Sequence, residues 1–368
     1  MSIFLVRAQP SIRCFTVSRL TCCARGLLIA TGLGGVLLAE ALAPSAQAAD
    51  VQLAPGFKIE VVATSIPRPA QLALTTAGRL VVLSQGWRGD SAAEIFWLDP
   101  RGAVPIDVSR APRVVIPFAE GPRKTAFGSL AVDPRSDDVI LGEENGNRIY
   151  RLTTDKRLVP VAVGLNHLLG GSSLALDPSG KLVVLDYASF QAQLRSEAPL
   201  PPSLAALAAE DYQGPLVFRI DLDEDVPLPR RLEIVAPIFP KRSARRNFGE
   251  PALHKFVAVV PIGKDELALL SVVGEVFVLS PEGDLRRLTR LPPGHFQRTS
   301  MAVAPDRSVF VSAGFHIREL YRVSPAGDVT SLAHDLADPQ GVVVDRAGVL
   351  YVAETALHRI IRIVPVAR

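Results

Sequence analysis

Short runs of apolar residues separated by turn residues recur along most of the chain. Each run of three apolar residues is followed within a few positions by Asp, Pro, Gly or Thr, and then by a second apolar run. Continuous apolar runs of this length, bounded by turn signals, are typical of β-strands buried on both faces. The pattern predicts six strand pairs, with first strands at 72–74, 130–132, 174–176, 257–259, 301–303 and 342–344, and second strands at 80–83, 139–141, 182–185, 267–270, 309–311 and 350–352.

The spacing of the first strands gives the size of the repeat. Their central residues are separated by 58, 44, 83, 44 and 41 positions, and a four-stranded propeller blade takes about 40 to 45 residues. The interval of 83 contains a segment without the strand pattern, residues 187–213, whose removal leaves 56. This insertion is interpreted either as a lid over the channel or as a passive loop that packs its own apolar face. The spacing predicts an all-β fold, a six-bladed β-propeller over residues 49–368.

The two ends of the mature chain are predicted to meet in one blade. The C-terminal segment 359–363 matches a third strand, and no fourth strand follows it. Residues 57–66 precede the first blade and resemble the fourth strands at 157–163 and 231–238. We therefore expect an N-terminal strand to complete the last blade and close the ring, so that neither strand is left as an exposed edge.

The first 48 residues have the composition of a signal peptide. Four arginines precede an apolar run at 26–39, and Ala-Gln-Ala at 46–48 supplies small residues for a cleavage site. We predict cleavage after Ala48 and a periplasmic or secreted mature protein. The alternative is a retained membrane anchor, which requires about 20 apolar residues, whereas Glu40 and Pro44 interrupt this run.

Removal of this leader changes the composition of the protein. All three cysteines lie in the leader, together with four of the 40 basic and one of the 37 acidic residues, which leaves 36 of each. Disulfides, thiolate nucleophiles and Cys-ligated zinc are therefore excluded from the mature chain. A charge-neutral domain has no general electrostatic attraction to nucleic acid. We expect a monomer that binds a small molecule or a protein ligand, with no nucleic-acid partner and, after cleavage, no membrane partner.

Acidic residues stand at corresponding places in three repeats, on the face where the loops between strands two and three lie beside the loops that lead to the next blade. Glu143 and Glu354 each come five residues before the Arg of a third strand, and Asp186 ends the matching second strand of blade three. Brought together, they are candidate ligands for one divalent cation, Ca²⁺ or Mg²⁺, or a candidate general base. The alternative is that each caps a strand or pairs with a neighbouring Arg. The same alternatives apply to Glu144 and Asn145, which are candidate ligand-binding residues.

Histidines occur in the loops that precede first strands on the same face. His167, His254 and His295 are candidate general acids or bases for chemistry at the channel. The alternative is that each is a loop histidine whose nitrogens are satisfied by hydrogen bonds. Asn166 and Gln340 complete the set of candidate ligand-binding residues.

The last repeat carries a family resemblance. It reads Asp-Pro-Gln-Gly-Val-Val-Val-Asp at 338–345, Leu-Tyr-Val-Ala-Glu-Thr at 350–355 and His-Arg-Ile at 358–360. This repeat resembles an NHL repeat, and weaker copies at 129–150 and 300–321 extend the resemblance over most of the mature chain. NHL propellers mostly bind ligands or partners, and a minority of their relatives are lyases or hydrolases. The resemblance implies an exported propeller that binds a small molecule or a protein partner at the mouth of its channel.

Two related enzyme groups give the alternatives. In the gluconolactonase and SMP-30 group, a channel metal is held partly by the Asp of a Pro-Asp-Gly before a first strand, where this chain has Pro339, Gln340 and Gly341. The Asn expected before an earlier first strand is also absent, since residues 127–129 read Phe-Gly-Ser. This resemblance implies a metal-assisted hydrolase or lyase acting on a lactone or cyclic ester. Residues 54–63 are similar to the start of quinone-dependent sugar dehydrogenases, which gives a third hypothesis.

Overall fold

Short antiparallel strands make up most of the part of the chain that the structure, a computed structural model, describes. The described residues are 51–85, 92–116, 126–144, 147–162, 165, 168, 170–188, 214–222, 232–234, 255–263, 265–314 and 316–366. Their strands, in chain order, are β1 (Gln52–Leu53), β2 (Phe57–Ala63), β3 (Pro69–Leu74), β4 (Leu80–Ser84), β5 (Ala93–Leu98), β6 (Arg113–Ile116), β7 (Phe127–Val132), β8 (Val139–Glu143), β9 (Arg148–Leu152), β10 (Leu158–Ala162), β11 (Leu174–Leu176), β12 (Leu182–Ala188), β13 (Gly214–Ile220), β14 (Leu232–Ile234), β15 (Phe256–Pro261), β16 (Leu267–Ser271), β17 (Glu275–Leu279), β18 (Leu285–Arg290), β19 (Met301–Val303), β20 (Val309–Ser312), β21 (Leu320–Val323), β22 (Val329–His334), β23 (Pro339–Val344), β24 (Leu350–Glu354) and β25 (Arg359–Pro365).

The strands form six antiparallel sheets, which are the six blades of the predicted propeller. Blades one to four are β3–β6, β7–β10, β11–β14 and β15–β18; blade five is β19–β22 with β1 added, and blade six is β23–β25 with β2 added. The innermost strands β3, β7, β11, β15, β19 and β23 contact one another in a closed cycle, with β23 lying against β3. The predicted fold is therefore confirmed, and blade five lies across the channel from blade two.

The N-terminal strand closes the ring as predicted. Strand β2 pairs antiparallel with β25 over a register that runs from Phe57 opposite Pro365 to Ala63 opposite Ile360. The sequence did not predict β1, which pairs with β22 of blade five. Because β1 and β2 are consecutive, the N-terminal segment joins blade five to blade six.

Alternation along the second strands explains why they are apolar at every position. In β4, Leu80 and Val82 pack in the cluster shared with blade six, whereas Val81 and Leu83 pack in the cluster shared with blade two. Successive side chains of a strand point to opposite faces of the sheet, so a strand between two blades buries both faces. Burial of each such side chain contributes about 1.5–3 kcal/mol.

Blade three departs from the predicted bounds of its insertion. Strand β12 extends through Tyr187 and Ala188, which pair with Pro215 and Gly214 at the start of β13. Two residues assigned to the insertion 187–213 are therefore strand, because the β12–β13 hairpin keeps its register beyond the apolar run. Residues 189–213 lie outside the described residues, so the lid stays a prediction.

The remaining local structure adds two short helical turns, Val108–Arg110 and Thr355–Leu357. Among the described residues, none of the helical segments has the length and apolar character to cross a membrane. The leader 1–48 lies outside the described residues, so the signal peptide and the periplasmic or secreted location stay predictions.

Candidate functional site

A polar side chain ends or nearly ends the second strand of every blade. In five blades this side chain is the fifth residue of the strand, and in blade five it is the fourth; all six are buried: Ser84, Glu143, Asp186, Ser271, Ser312 and Glu354. The three acids singled out in the sequence are therefore equivalent positions, whereas Ala313 holds the equivalent position in blade five. The pattern puts one hydrogen-bonding group per blade at the end of the molecule where the innermost strands begin.

Several members of this ring bond to loop backbone. The Ser84 hydroxyl donates to the carbonyl of Pro67, and the Ser312 hydroxyl donates to the carbonyl of Gln340. One Glu354 oxygen accepts the N–H of Ala337 at 2.9 Å, while the other accepts Arg359 Nε at 2.5 Å. The contacts of Ser84 and Glu354 tie the second strand to the loop that leads into an innermost strand, and that of Ser312 ties it to β23 of the next blade.

The remaining two acids differ in their surroundings. Asp186 accepts the N–H of Tyr187 at 2.8 Å, whereas Glu143 has a buried Oε2 atom without a hydrogen-bond partner. No three or more His, Cys, Asp or Glu side chains among the described residues are grouped as a metal site requires. The described acids do not by themselves make up the predicted cation site, which stays a prediction that needs donors from outside the described ranges.

Arg298 spans the channel at this end of the molecule. It precedes the innermost strand of blade five, and its Nη1 donates to Gln85 Oε1 of blade one at 2.9 Å. Its Nη2 lies 3.7 Å from Glu144 Oε2 of blade two. We call the region defined by Gln85, Glu144, Arg298, Asp338 and Gln340 the channel mouth.

Glycines hold the carboxyl of Glu144 in place. A Cβ atom would lie 1.7 Å from Glu144 Oε1 if built on Gly128 and 2.2 Å if built on Gly170. Any side chain at either position would therefore displace the carboxyl, and Oε1 sits between them without a hydrogen-bond partner. Burial raises the pKa of Glu144, and the positive charge of Arg298 opposes that rise.

Asp338 and Gln340 form the blade-six side of the mouth. Gln340 Nε2 donates to Asp338 Oδ2 at 3.0 Å, which leaves Asp338 Oδ1 and Gln340 Oε1 buried without partners. Burial raises the pKa of Asp338, against the hydrogen bond from Gln340 and the charges of Arg68, Arg298 and His316. Two carboxyls that favour their protonated form more than usual thus lie at the mouth.

The mouth collects buried polar atoms that have no hydrogen-bond partner. Such atoms are few in folded proteins, and each requires an explanation such as a bound group or a catalytic role. Those on the first two strands of the blades and the loops next to them, within the described part of the chain, are Gln71 Nε2, Ser129 Oγ, Glu143 Oε2, Glu144 Oε1, Thr299 Oγ1, Asp338 Oδ1 and Gln340 Oε1.

Three histidines lie on the blade-five and blade-six side. His295 is exposed, its Nε2 lies 2.7 Å from Gln297 Nε2, and its ring centroid is 6.2 Å from that of His316. His358 accepts the N–H of Arg68 at Nδ1 over 3.0 Å. Burial, with the charge of Arg68 as a smaller cause, lowers the pKa of His358, consistent with an unprotonated acceptor nitrogen.

The structure thus describes only part of the predicted site. Asn145, Asn166, His167 and His254 lie outside the described residues, so their roles stay predictions. Sequence reasoning missed Arg68, Arg298 and Asp338 as site residues. Each of these residues is charged and stands one to three positions before an innermost strand. Alignment of the six repeats in register makes these charged positions visible in the sequence.

Backbone hydrogen bonds join separate blades just below the mouth. The N–H of Ser172 donates to the carbonyl of Thr299 at 3.0 Å, and the N–H of Gly171 donates to the carbonyl of Gly128 at 2.9 Å. Beyond these contacts, a cavity of about 480 Å³ is lined by all six innermost strands and by turn residues such as Pro134 and Pro178. The mouth and this cavity are therefore on opposite sides of the bonds that join blades two, three and five.

Replacement of Glu144 by Gln is expected to stabilise the protein at neutral pH. A carboxyl with a raised pKa binds its proton more tightly in the folded than in the unfolded chain, so its ionisation costs stability as pH rises through the folded pKa. The Gln variant should have the higher free energy of unfolding at pH 7–8, and the difference should disappear below the ordinary value of 4.5. Urea unfolding of both proteins between pH 4 and 8 measures this.

Glu282→Gln is the control of opposite sign. Glu282 is exposed in a turn, and the hydrogen bond from Ser280 lowers its pKa, so ionisation of Glu282 favours folding and its Gln variant should gain nothing at neutral pH. If the difference in free energy of unfolding between Glu144→Gln and the parent is the same at every pH, ionisation of the buried Glu144 carboxyl does not cost stability and the prediction is wrong.

No family model matches the sequence, and no curated protein matches it.

Solved structures do match, at low sequence identity. The chain is similar to a catalytically inactive His-to-Ala variant of virginiamycin B lyase from Staphylococcus aureus with Quinupristin, at 12% identity and a TM-score of 0.53, covering 83% of this chain and 99% of that one. It is also similar to a gluconolactonase from Xanthomonas campestris, at 12% identity and a TM-score of 0.55, covering 84% and 90%. These likenesses show a shared fold, and the resemblance in fold to gluconolactonase-like six-bladed propellers is thereby confirmed.

Proposed function

We propose that this chain binds a small polar molecule at the channel mouth. The observation that carries the proposal is the concentration of buried polar atoms without partners around Glu144, Asp338 and Gln340. Leaving a donor or acceptor buried and unpaired costs about 1–3 kcal/mol for each group. A cost repeated at several neighbouring positions is explained if a ligand supplies the missing hydrogen bonds.

The geometry of the mouth supports a small ligand rather than a protein surface. Arg298 reaches over the channel from blade five to blades one and two, and its side chain is 39% exposed while that of Glu144 is 22% exposed. Groups from three blades thus converge on one point at the axis, as in concave ligand sites where a few placed polar groups fix orientation. Export of this binding protein through the leader 1–48 is part of the proposal.

Acid–base chemistry on the bound molecule is the second candidate function. It is favoured by the raised pKa of both Glu144 and Asp338, because a carboxyl with a raised pKa keeps its proton to a higher pH than usual, as a general acid requires. Such a protein would be a hydrolase or lyase, the reaction class of the sequence-based alternative, although that alternative placed the chemistry on a metal and on Glu143, Asp186 and Glu354. The quinone-dependent dehydrogenase hypothesis stays a prediction without a described residue that favours it.

The binding proposal is tested by thermal unfolding of the mature chain, residues 49–368, against a panel of small polar molecules. A molecule that binds the folded state alone should raise the melting temperature, with about 2.7 kcal/mol of added stability at 100 times its Kd. Gln340→Ala and Gln85→Ala should each weaken this stabilisation, because the first removes a polar group of the mouth and the second removes the hydrogen-bond partner of Arg298. Glu282→Gln, in a turn at the opposite end of blade four, should leave it unchanged.

Two results would overturn the binding proposal. One is a panel in which no molecule raises the melting temperature. The other is a stabilising molecule whose effect persists in both mouth variants, which would move the site to the cavity on the other side of the channel. Hydrolysis or elimination products in the same incubations, lost in Glu144→Gln, would extend binding to the second candidate function.

A further inference from the structure

Two arginines, Arg298 of the mouth and the adjacent Arg68, are not fully neutralised by the acids of the mouth. Asp338 feels the charges of Arg68 and Arg298, yet neither arginine forms an ion pair with it among the described contacts. Its hydrogen bond comes instead from Gln340. Both guanidinium groups therefore lie near a carboxyl that leaves them available to another anion.

Arg68 is the clearer case of an available cation. Its backbone N–H bonds to His358 and its backbone carbonyl accepts the N–H of Gln85, but its half-buried guanidinium has no hydrogen bond or ion pair with any described residue. Since Gln85 also accepts Arg298 Nη1, these contacts place both arginines on the same side of the mouth. A half-buried guanidinium is weakly hydrated and presents a planar fork that fits a carboxylate.

The neighbouring acid Glu144 forms no direct hydrogen bond that would occupy the guanidinium of Arg298. Glu144 Oε1 is held between two glycines, and Glu144 Oε2 is 3.7 Å from Arg298, beyond the distance of a direct hydrogen bond. Arg298 is therefore hydrogen-bonded to the neutral Gln85 and meets Glu144 only in a longer ion pair without a direct hydrogen bond. A carboxylate ligand could accept hydrogen bonds from Arg298 and Arg68 without displacing a directly hydrogen-bonded ion pair.

We propose that the ligand of the mouth is a small organic carboxylate, bound by the guanidinium groups of Arg68 and Arg298. This inference rests on the proposed binding function and narrows it to one chemical class. It also predicts that affinity falls with ionic strength, because the attraction is between unlike charges at a partly solvated site.

The test compares organic acids with their primary amides, which differ only in the charged group. Lactate and lactamide, succinate and succinamide, and benzoate and benzamide are observed by saturation-transfer NMR with the mature chain at low salt. The acids should bind at least tenfold more tightly than their amides. Arg68→Gln and Arg298→Gln should each lower acid affinity by about 10- to 100-fold, as expected for loss of a charged hydrogen-bond partner.

Arg101→Gln is the matched control, because Arg101 is exposed and its ion pair within the described residues is with its neighbour Asp99. The Arg101→Gln variant should bind the acids as tightly as the parent. If the planar geometry of the guanidinium matters, the acid affinity of Arg298→Lys should lie between those of the parent and Arg298→Gln. Amides that bind as tightly as acids, or acids that bind equally well to both Gln variants, would overturn the carboxylate inference and leave the binding proposal standing. If neither these probes nor the polar panel binds, both fail.

Discussion

A chain that begins at Ser65, and so lacks β1 and β2, is expected to lose its cooperative unfolding transition. Strand β2 contributes the fully buried Val62 and the partly buried Phe57, Ile59 and Val61 to the clusters on either side of blade six. Their burial is worth on the order of 5 kcal/mol, against a total stability of about 5–15 kcal/mol for most domains. Loss of β2 also leaves β25 as an unpaired edge strand, which favours association between chains.

Circular dichroism with thermal and urea unfolding measures this loss, and size-exclusion chromatography detects the association. The control is the predicted mature chain, residues 49–368, which retains both strands and should unfold cooperatively. A synthetic peptide of residues 51–66 added to the short chain should restore part of the transition. Retention of full stability by the short chain would show that β2 pairing does not hold the ring closed.

Ring closure was predictable because its signal is local and repeated. Residues 359–363 read Arg-Ile-Ile-Arg-Ile, a third strand by comparison with other repeats, and a three-stranded last blade is completed in a closed propeller by a strand from the N-terminal side. The pairing of Phe57–Ala63 with Arg359–Pro365 followed from that requirement together with the likeness of residues 57–66 to the fourth strands of other repeats. By contrast, β1 has two residues, and so short a strand has no pattern that separates it from a loop.

The site was only partly predictable because it depends on contacts between blades far apart in sequence. The position of Glu143, Asp186 and Glu354 in register could be read from the repeats, but their partners could not. Arg298 meets Gln85 across 213 positions of sequence, and no spacing rule connects an arginine before one blade with a glutamine after the second strand of another. Strand periodicity fixes which side chains share a face, whereas the channel brings together residues from opposite sides of the ring.

Glu354→Ala is expected to destabilise the protein by about 3–5 kcal/mol, the cost typical of breaking a buried ion pair by removing one partner. The Glu354 side chain is fully buried and that of Arg359 is 12% exposed, with Arg359 Nε 2.5 Å from Glu354 Oε2. The substitution leaves the Arg359 guanidinium without its acid and the N–H of Ala337 without its acceptor. Urea unfolding should show the loss as a lower midpoint with an unchanged slope.

Glu266→Ala is the matched control, because Glu266 pairs with Arg307 at 2.8 Å with the two side chains 39% and 58% exposed. An exposed pair is worth about 0–1 kcal/mol, so burial rather than distance should separate the two variants. Replacing both partners, Glu354→Leu with Arg359→Met, should recover most of the loss, because no charge is then left buried. If the double variant stays as unstable as Glu354→Ala, Glu354 stabilises the fold through a partner other than Arg359. If chelation of the parent lowers its stability by the same amount, a cation held by Glu354 becomes the better explanation.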